Sequence, residues 1–272
     1  MNLNPDKAAL TFEETATKLP VLFVGHGSPM NTLEDNTYSR SWAELGQSLP
    51  RPKAILCISA HWETKGTQVT AMEQPRTIHD FGGFPRELFE YQYPAAGLPA
   101  LAQLVQETVP QTQVSLDQRW GLDHGTWSVL ARMYPAADIP VVQLSLDRTQ
   151  EPAYHYALGK ELAPLRNKGI LIVGSGNIVH NLGLISFRQA AQAEDWALEF
   201  DETIKQLILL GDHEAIIHYE KLGRVALLSI PTNEHYLPLL YILALQSEQE
   251  QVSFFNEKID LGSLSMRSVR IG

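Results

Sequence analysis

The sequence predicts an α/β protein with a mostly parallel central sheet flanked by helices on both faces. Two patterns and one bulk property carry that prediction. Short apolar runs rich in Val, Ile and Leu recur along the chain, and helix-length segments with apolar residues at three- and four-residue spacing separate them. A hydrophobic content of 44% against 19% charged residues supplies a buried core and opposes a disordered or fibrous chain.

Taken in order, the runs at 21–24, 54–59, 139–146, 170–173 and 225–230 read as strands, since unbroken apolar stretches mark strands buried on both faces. Helices are expected at 41–49, 98–109, 127–134, 152–166, 194–210 and 235–245. This alternation is the pattern of a layered sheet with helices on each side. The last stretch, 252–271, alternates more loosely and predicts edge or antiparallel strands. Residues 73–99 stand apart, with Pro75, Gly82, Gly83, Pro85, Pro94, Gly97 and Pro99 interleaved with Phe81, Phe84, Phe89, Tyr91 and Tyr93. A long loop so rich in aromatics is expected to be ordered and to cover something. No repeat, low-complexity tract or linker-like composition interrupts the chain, and residues 1–272 are expected to form one domain.

Composition narrows the function classes. A net charge of -10 and a pI near 5.4 oppose binding to nucleic acid or anionic lipid, which needs clustered Lys and Arg. The single cysteine, Cys57, sits in an apolar run and reads as a buried core thiol, with a nucleophile or sensor as the other reading. Residues 1–18 carry Asp6, Lys7, Glu13 and Glu14 and no signal-peptide core, and no window approaches the roughly 20 apolar residues of a membrane span, so a cytoplasmic protein is expected.

The nine histidines are informative by position. His26 follows the first apolar run in Gly25-His26-Gly27-Ser28-Pro29, and His61 follows the second in Ser59-Ala60-His61-Trp62. His180 comes shortly after Gly174-Ser175-Gly176-Asn177, and His235 follows the run at 225–230 at the start of an apolar helix. Ligands of open α/β sheets bind beyond the carboxyl ends of the strands, so these four imidazoles are expected to converge there as a metal site. His124, in a loop before a helix, suits an acid or base, and His79 lies in the aromatic loop within reach of a substrate. His155, His213 and His218 read as solvated, as do the acidic residues Glu194, Asp195, Glu199, Asp201 and Glu202 of one helix. Gly25-His26-Gly27 lacks the spacing and lysine of a nucleotide loop, and Ser28 and Ser175 lack Gly-x-Ser-x-Gly surroundings, so both serines read as turn residues.

Six segments together are similar to the class III extradiol ring-cleaving dioxygenases of the LigB type, in the branch of the 4,5-DOPA dioxygenases. They are Gly25-His26-Gly27-Ser28-Pro29-Met30, Ser59-Ala60-His61-Trp62, Ile78-His79-Asp80-Phe81-Gly82-Gly83-Phe84-Pro85, Gly121-Leu122-Asp123-His124-Gly125, Gly176-Asn177-Ile178-Val179-His180-Asn181 and Glu234-His235-Tyr236-Leu237-Pro238-Leu239. The resemblance spans nearly the whole chain and implies a LigB-like α/β fold. It implies one divalent metal, Fe(II) for catalysis or Zn(II) as isolated, held by His26, His61 and His235, with His180 a fourth ligand or an acid/base. More distant relatives use a carboxylate as third ligand, and Glu234 adjoins His235, which is favoured here. A catechol such as L-DOPA and O2 are the implied substrates. His124 or His180 would take a catechol proton, His79 and Phe81 would line the pocket, and the product would be a seco-DOPA-type semialdehyde. Two rivals remain open: zinc-dependent hydrolysis on the same histidines, and a non-enzymatic interaction protein of the same fold.

Overall fold

The computed structural model describes residues 12–186 and 192–272. Asp6 and Lys7, part of the N-terminal reading, lie outside the described residues. Strand β1 (Val21–Gly25) leads to α1 (Thr37–Ser48), then β2 (Ala54–Thr64), β3 (Thr67–Thr70), α2 (Arg86–Glu90), α3 (Pro99–Thr108) and β4 (Val114–Asp117). Next come α4 (His124–Met133), β5 (Val141–Asp147), α5 (Pro152–Glu161) and β6 (Ile170–Gly176). The remainder holds α6 (Asp195–Leu210), α7 (His213–Ile217), α8 (Arg224–Ser229), α9 (Leu237–Ala244), β7 (Val252–Phe255), β8 (Ile259–Asp260), β9 (Leu264–Ser265) and β10 (Ser268–Ile271).

Eight strands form one sheet in the order β4-β3-β5-β2-β6-β1-β10-β7. Its centre, β5, β2, β6 and β1, is parallel throughout. Antiparallel pairing enters only at the flanks, where β3 meets β5 and β10 meets β1 and β7, in line with the expectation for 252–271. Successive residues of the central strands point into different cores, as the strand period of two requires. Ile170 and Ile172 face the core built with α3, α5, α6 and α9, whereas Leu171 and Val173 face the one built with α1 and α4. Phe81, Phe84 and Tyr91 of the aromatic loop pack against the second core, so that loop is ordered, with α2 inside it.

Several sequence expectations are corrected. The run at 225–230 is helix α8, not a strand; Ala226, Ser229 and Ile230 face inward at helical spacing while Leu227 is 59% exposed. Six apolar residues alone do not separate the two periods. His155 is buried, because it shares the inward face of α5 with Leu158 and Gly159 and meets the Tyr241 hydroxyl at 3.0 Å. Asp201 is buried rather than solvated, since it lies on the apolar stripe of α6 with Ala197, Phe200 and Ile204. Helix α4 starts at His124, earlier than expected, because the Asp123 carboxylate caps it by accepting a hydrogen bond from the Thr126 N–H at 3.1 Å.

Candidate active site

Beyond the carboxyl ends of β1, β2 and β6, three adjacent parallel strands, five imidazoles converge. His26 follows β1 directly, and its N–H bonds to the Gly176 carbonyl across to β6 at 3.1 Å. His61 lies inside β2 where the register with β5 shifts between Ile58 and Glu63, an irregularity of the kind that re-aims a side chain. His124 opens α4, His180 follows β6, and His235 precedes α9. His235 thus arrives from a helix–turn–helix, not from a strand end, which corrects the expectation that four strands end alike. Ring centroids are 5.0 Å apart for His26 and His61, 3.9 Å for His61 and His124, and 5.0 Å for His61 and His235. His180 stacks on His235 at 3.4 Å, with the rings 7° from parallel.

Two glycines make this crowding possible. A Cβ on Gly125 would come within 2.6 Å of the Ser59 hydroxyl and 2.8 Å of the His61 ring, and one on Gly176 would collide with the His235 carbonyl oxygen. That carbonyl instead accepts a hydrogen bond from the Asn177 N–H at 2.8 Å, which fastens the segment before α9 to the end of β6. Of the glycines weighed as a nucleotide loop or nucleophile elbow, Gly25, where a Cβ would come within 2.7 Å of the Met266 backbone, and Gly176 likewise serve close packing. The serines are equally accounted for. Ser28 caps the short 3₁₀ turn at Pro29–Thr32, and the buried Ser175 hydroxyl donates to the Gly125 carbonyl at 2.5 Å.

Partners at Nδ1 orient the rings. With its proton committed to Gly125, the Ser175 hydroxyl accepts from His26 Nδ1 at 3.1 Å, which leaves His26 Nε2 as a lone-pair donor. His235 Nδ1 lies 2.9 Å from Glu234 Oε1, so that carboxylate backs the imidazole. Asp80, from the aromatic loop, places Oδ2 3.3 Å from His61 Nδ1 and Oδ1 3.0 Å from His124 Nδ1. Asp80 Oδ1 also accepts a hydrogen bond from the His124 backbone N–H at 3.0 Å. Sequence reasoning passes over Asp80 although it stands within one of the six segments, because nothing local pairs it with rings 19 and 44 residues away.

The inward atoms have the character of metal donors. His26 Nε2 and His61 Nε2 stand 3.1 Å apart, close to the ~3.3 Å edge of a tetrahedron with bonds of ~2.0–2.1 Å. His235 Nε2 is buried and has no hydrogen-bond partner, so its lone pair is free to take an ion. Ligand-capable atoms of His26, His61 and His124 lie within 4.8 Å of one another, as do those of His180, Glu234 and His235. Burial, reinforced by neighbouring imidazoles, holds His26 and His235 well below the ordinary histidine pKa. Burial brings His61 to about 3 and His180 to about 4. These rings are neutral at pH 7, the form that binds a cation. For Asp80, burial opposes ionisation, but the hydrogen bond and charge of His124, with His61, outweigh it and lower its pKa.

Around the histidines, Phe81 packs edge-on to His124 at 5.5 Å, and Phe89 and Trp127 lie behind it. His79 belongs to this aromatic cluster, with Nε2 2.9 Å from the Tyr91 carbonyl. His155 and His213 stand elsewhere, against Tyr241 and Tyr156. Cys57 is buried, takes a hydrogen bond from Thr126, and burial pushes its thiol pKa up, so it is not a nucleophile. Among the described residues, no helix is long and apolar enough to cross a membrane.

Residues 20–266 match the family described as the catalytic LigB subunit of aromatic ring-opening dioxygenase. A 4,5-DOPA dioxygenase extradiol from Escherichia coli (strain K12) is 51% identical over 95% of this chain and 96% of its own. A protein of the same description from Beta vulgaris is 37% identical over 91% of this chain and 94% of its own. The crystal structure of an uncharacterized protein from Escherichia coli K12 superposes with a TM-score of 0.82 at 46% identity, covering 93% of this chain and 100% of that one.

Proposed function

Because the chain belongs to the LigB family of aromatic ring-opening dioxygenases, we propose that it is a metal-dependent extradiol dioxygenase that opens the ring of a catechol such as L-DOPA with O2. Both oxygen atoms are retained, and the product is a seco-DOPA-type semialdehyde acid. The observation that carries this reading is the set of inward Nε2 atoms: two facing each other at 3.1 Å and a third buried without a partner.

His26, His61 and His235 would hold the ion. Glu234 is engaged at Nδ1 of His235, which favours the imidazole over the carboxylate as third ligand. When bound, a divalent ion there supplies Lewis acidity and, as Fe(II), the redox capacity for reaction with O2.

The chain's own residues do the rest. His124, with Asp80 at its Nδ1, takes a catechol hydroxyl proton at Nε2. His180, neutral because burial depresses its pKa to about 4, offers a second acceptor on the far side of His235, as a further ligand or as acid/base. Phe81 forms an apolar wall beside His124 that excludes water and receives the aromatic ring, and His79 props Phe81 from behind. The protein works as a soluble cytoplasmic enzyme, with no membrane or nucleic-acid partner in this reading.

The test is anaerobic loading with Fe(II), then mixing with L-DOPA in air while following O2 uptake and the visible spectrum. A yellow ring-opened product with one O2 consumed per catechol is expected. Metal uptake without oxygen uptake would sink the dioxygenase reading and bring zinc-dependent hydrolysis forward.

A further inference from the structure

We propose that Asp80 is a shared positioning residue whose single carboxylate holds His61 through its Nδ1 and His124 through its backbone N–H, tying ligand geometry to proton transfer. The inference rests on the metal-site reading above. Other orienting groups serve one ring each: Ser175 backs His26, and Glu234 backs His235. Asp80 alone faces two, through different oxygens, at 3.3 Å and 3.0 Å. It reaches them from the aromatic loop, with its side chain only 19% exposed.

The consequence follows from what each oxygen accepts. Oδ1 accepts the backbone N–H of His124 and stands 3.0 Å from His124 Nδ1 without hydrogen-bond alignment, whereas Oδ2 faces only His61 Nδ1. A carboxylate accepts at both atoms, but a carboxamide accepts at one and donates at the other. In Asp80→Asn the carbonyl oxygen therefore stays on the His124 backbone N–H, the aligned donor, and the NH2 group is turned on His61. His61 Nδ1 must then act as an acceptor, so its proton moves to Nε2, the atom that points at His26 Nε2. An Nε2–H cannot bind a cation. The substitution thus damages the ligand while leaving His124 in place.

Glu234 provides the contrast. Its Oε1 accepts from His235 Nδ1 at 2.9 Å and from the Thr232 hydroxyl at 3.0 Å, and a glutamine carbonyl reproduces both. Glu234→Gln removes the same charge without inverting a tautomer.

The experiment measures Zn(II) and Co(II) affinity of the apo wild type, D80N and E234Q by competition with a chelator, with thermal melts of the apo forms as the fold control. Histidine tautomers are read in parallel by 15N NMR. D80N is expected to bind about 10–100-fold more weakly, the usual scale for loss of an outer partner, with His61 switched to the Nε2–H form and His124 unchanged. E234Q is expected to lose clearly less. Equal losses in the two variants, or an unchanged His61 tautomer in a folded D80N, would overturn the role of Asp80 and leave the dioxygenase reading standing. A wild type that takes up no metal would overturn both.

Discussion

Two buried polar clusters of the molecule, one around Arg267 and one around the histidines, are built on opposite principles. At Arg267 every charge is answered. Its guanidinium bonds to Asp201 at 2.8 Å and pairs with Glu257 and Glu202, the Ser265 hydroxyl donates to the other Asp201 oxygen, and Lys205 closes the ring on Glu257 at 2.7 Å. At the histidines, five rings crowd together, His26 and His61 Nε2 have only each other, His235 Nε2 has no partner, and proximity of like groups adds to the cost of burial. A buried ion network with matched partners holds structure, whereas a buried cluster with atoms left over is held ready for something that is not protein. Neither a depressed pKa nor one unpartnered nitrogen draws this line alone: His155 is brought to about 4 by burial and its Nε2 has no partner, yet its ring contacts are with Tyr154 and Tyr241.

The comparison breaks most readily at the ligands. His26→Ala or His61→Ala should leave substoichiometric metal by elemental analysis and cut ring opening by more than about 100-fold, because removing a ligand exceeds the loss of an outer partner. Stoichiometric metal in either variant would refute the assignment. The opposite cluster predicts the opposite phenotype. Asp201→Ala removes the buried partner of Arg267, leaving it the more exposed Glu202 and Glu257, and should lower unfolding free energy by about 1.5–3 kcal/mol in urea titrations, with metal content per folded molecule unchanged. If metal were lost while stability held, the two clusters would not be separate devices.

Acid sharpens the distinction by its two windows. A histidine whose folded pKa lies below its unfolded value of ~6.5 lets the unfolded chain take up protons first, so stability falls as pH drops below ~6.5. For His155 that loss continues to about 4, and a His155→Gln variant should show a shallower decline of urea midpoint over this range. Glu250 behaves differently. Burial opposes its ionisation, but Arg166, Ser247 and Lys18 bring its pKa down to about 2, so its contribution is lost only as pH falls from the ordinary carboxylate range toward about 2. The smallest effect belongs to the wall. Phe81→Ala should raise KM for a catechol about 5-fold, the equivalent of roughly 1 kcal/mol of apolar contact, with metal content and melting temperature held. An unchanged KM would remove Phe81 from the pocket.

The parallel core was legible because Ile170 to Val173, like the runs at 21–24 and 54–59, are apolar at every position but the last of these, Ser59, which is the composition a strand covered by helices on both sides requires. Short β3 and β4 were not legible, since four residues at a sheet flank carry no periodicity to read. His26 could be placed because it adjoins β1, and His61 because it follows the apolar run 54–59, although β2 continues through it to Thr64. His235 was found for a partly wrong reason, as the run before it coils into α8. Asp80, Gly125 and Ser175 act through residues remote in sequence, and only the fold brings them to their imidazoles.

The seating of the His235 carbonyl on Gly176 also has a genetic side. Any coding change in the first two bases of a glycine codon installs a side chain, and here even a methyl group has nowhere to go. Gly125 shares that intolerance beneath His61. A saturation screen for lost ring-opening activity should therefore recover these two positions alongside the histidines, marking as indispensable two residues that have no functional group at all.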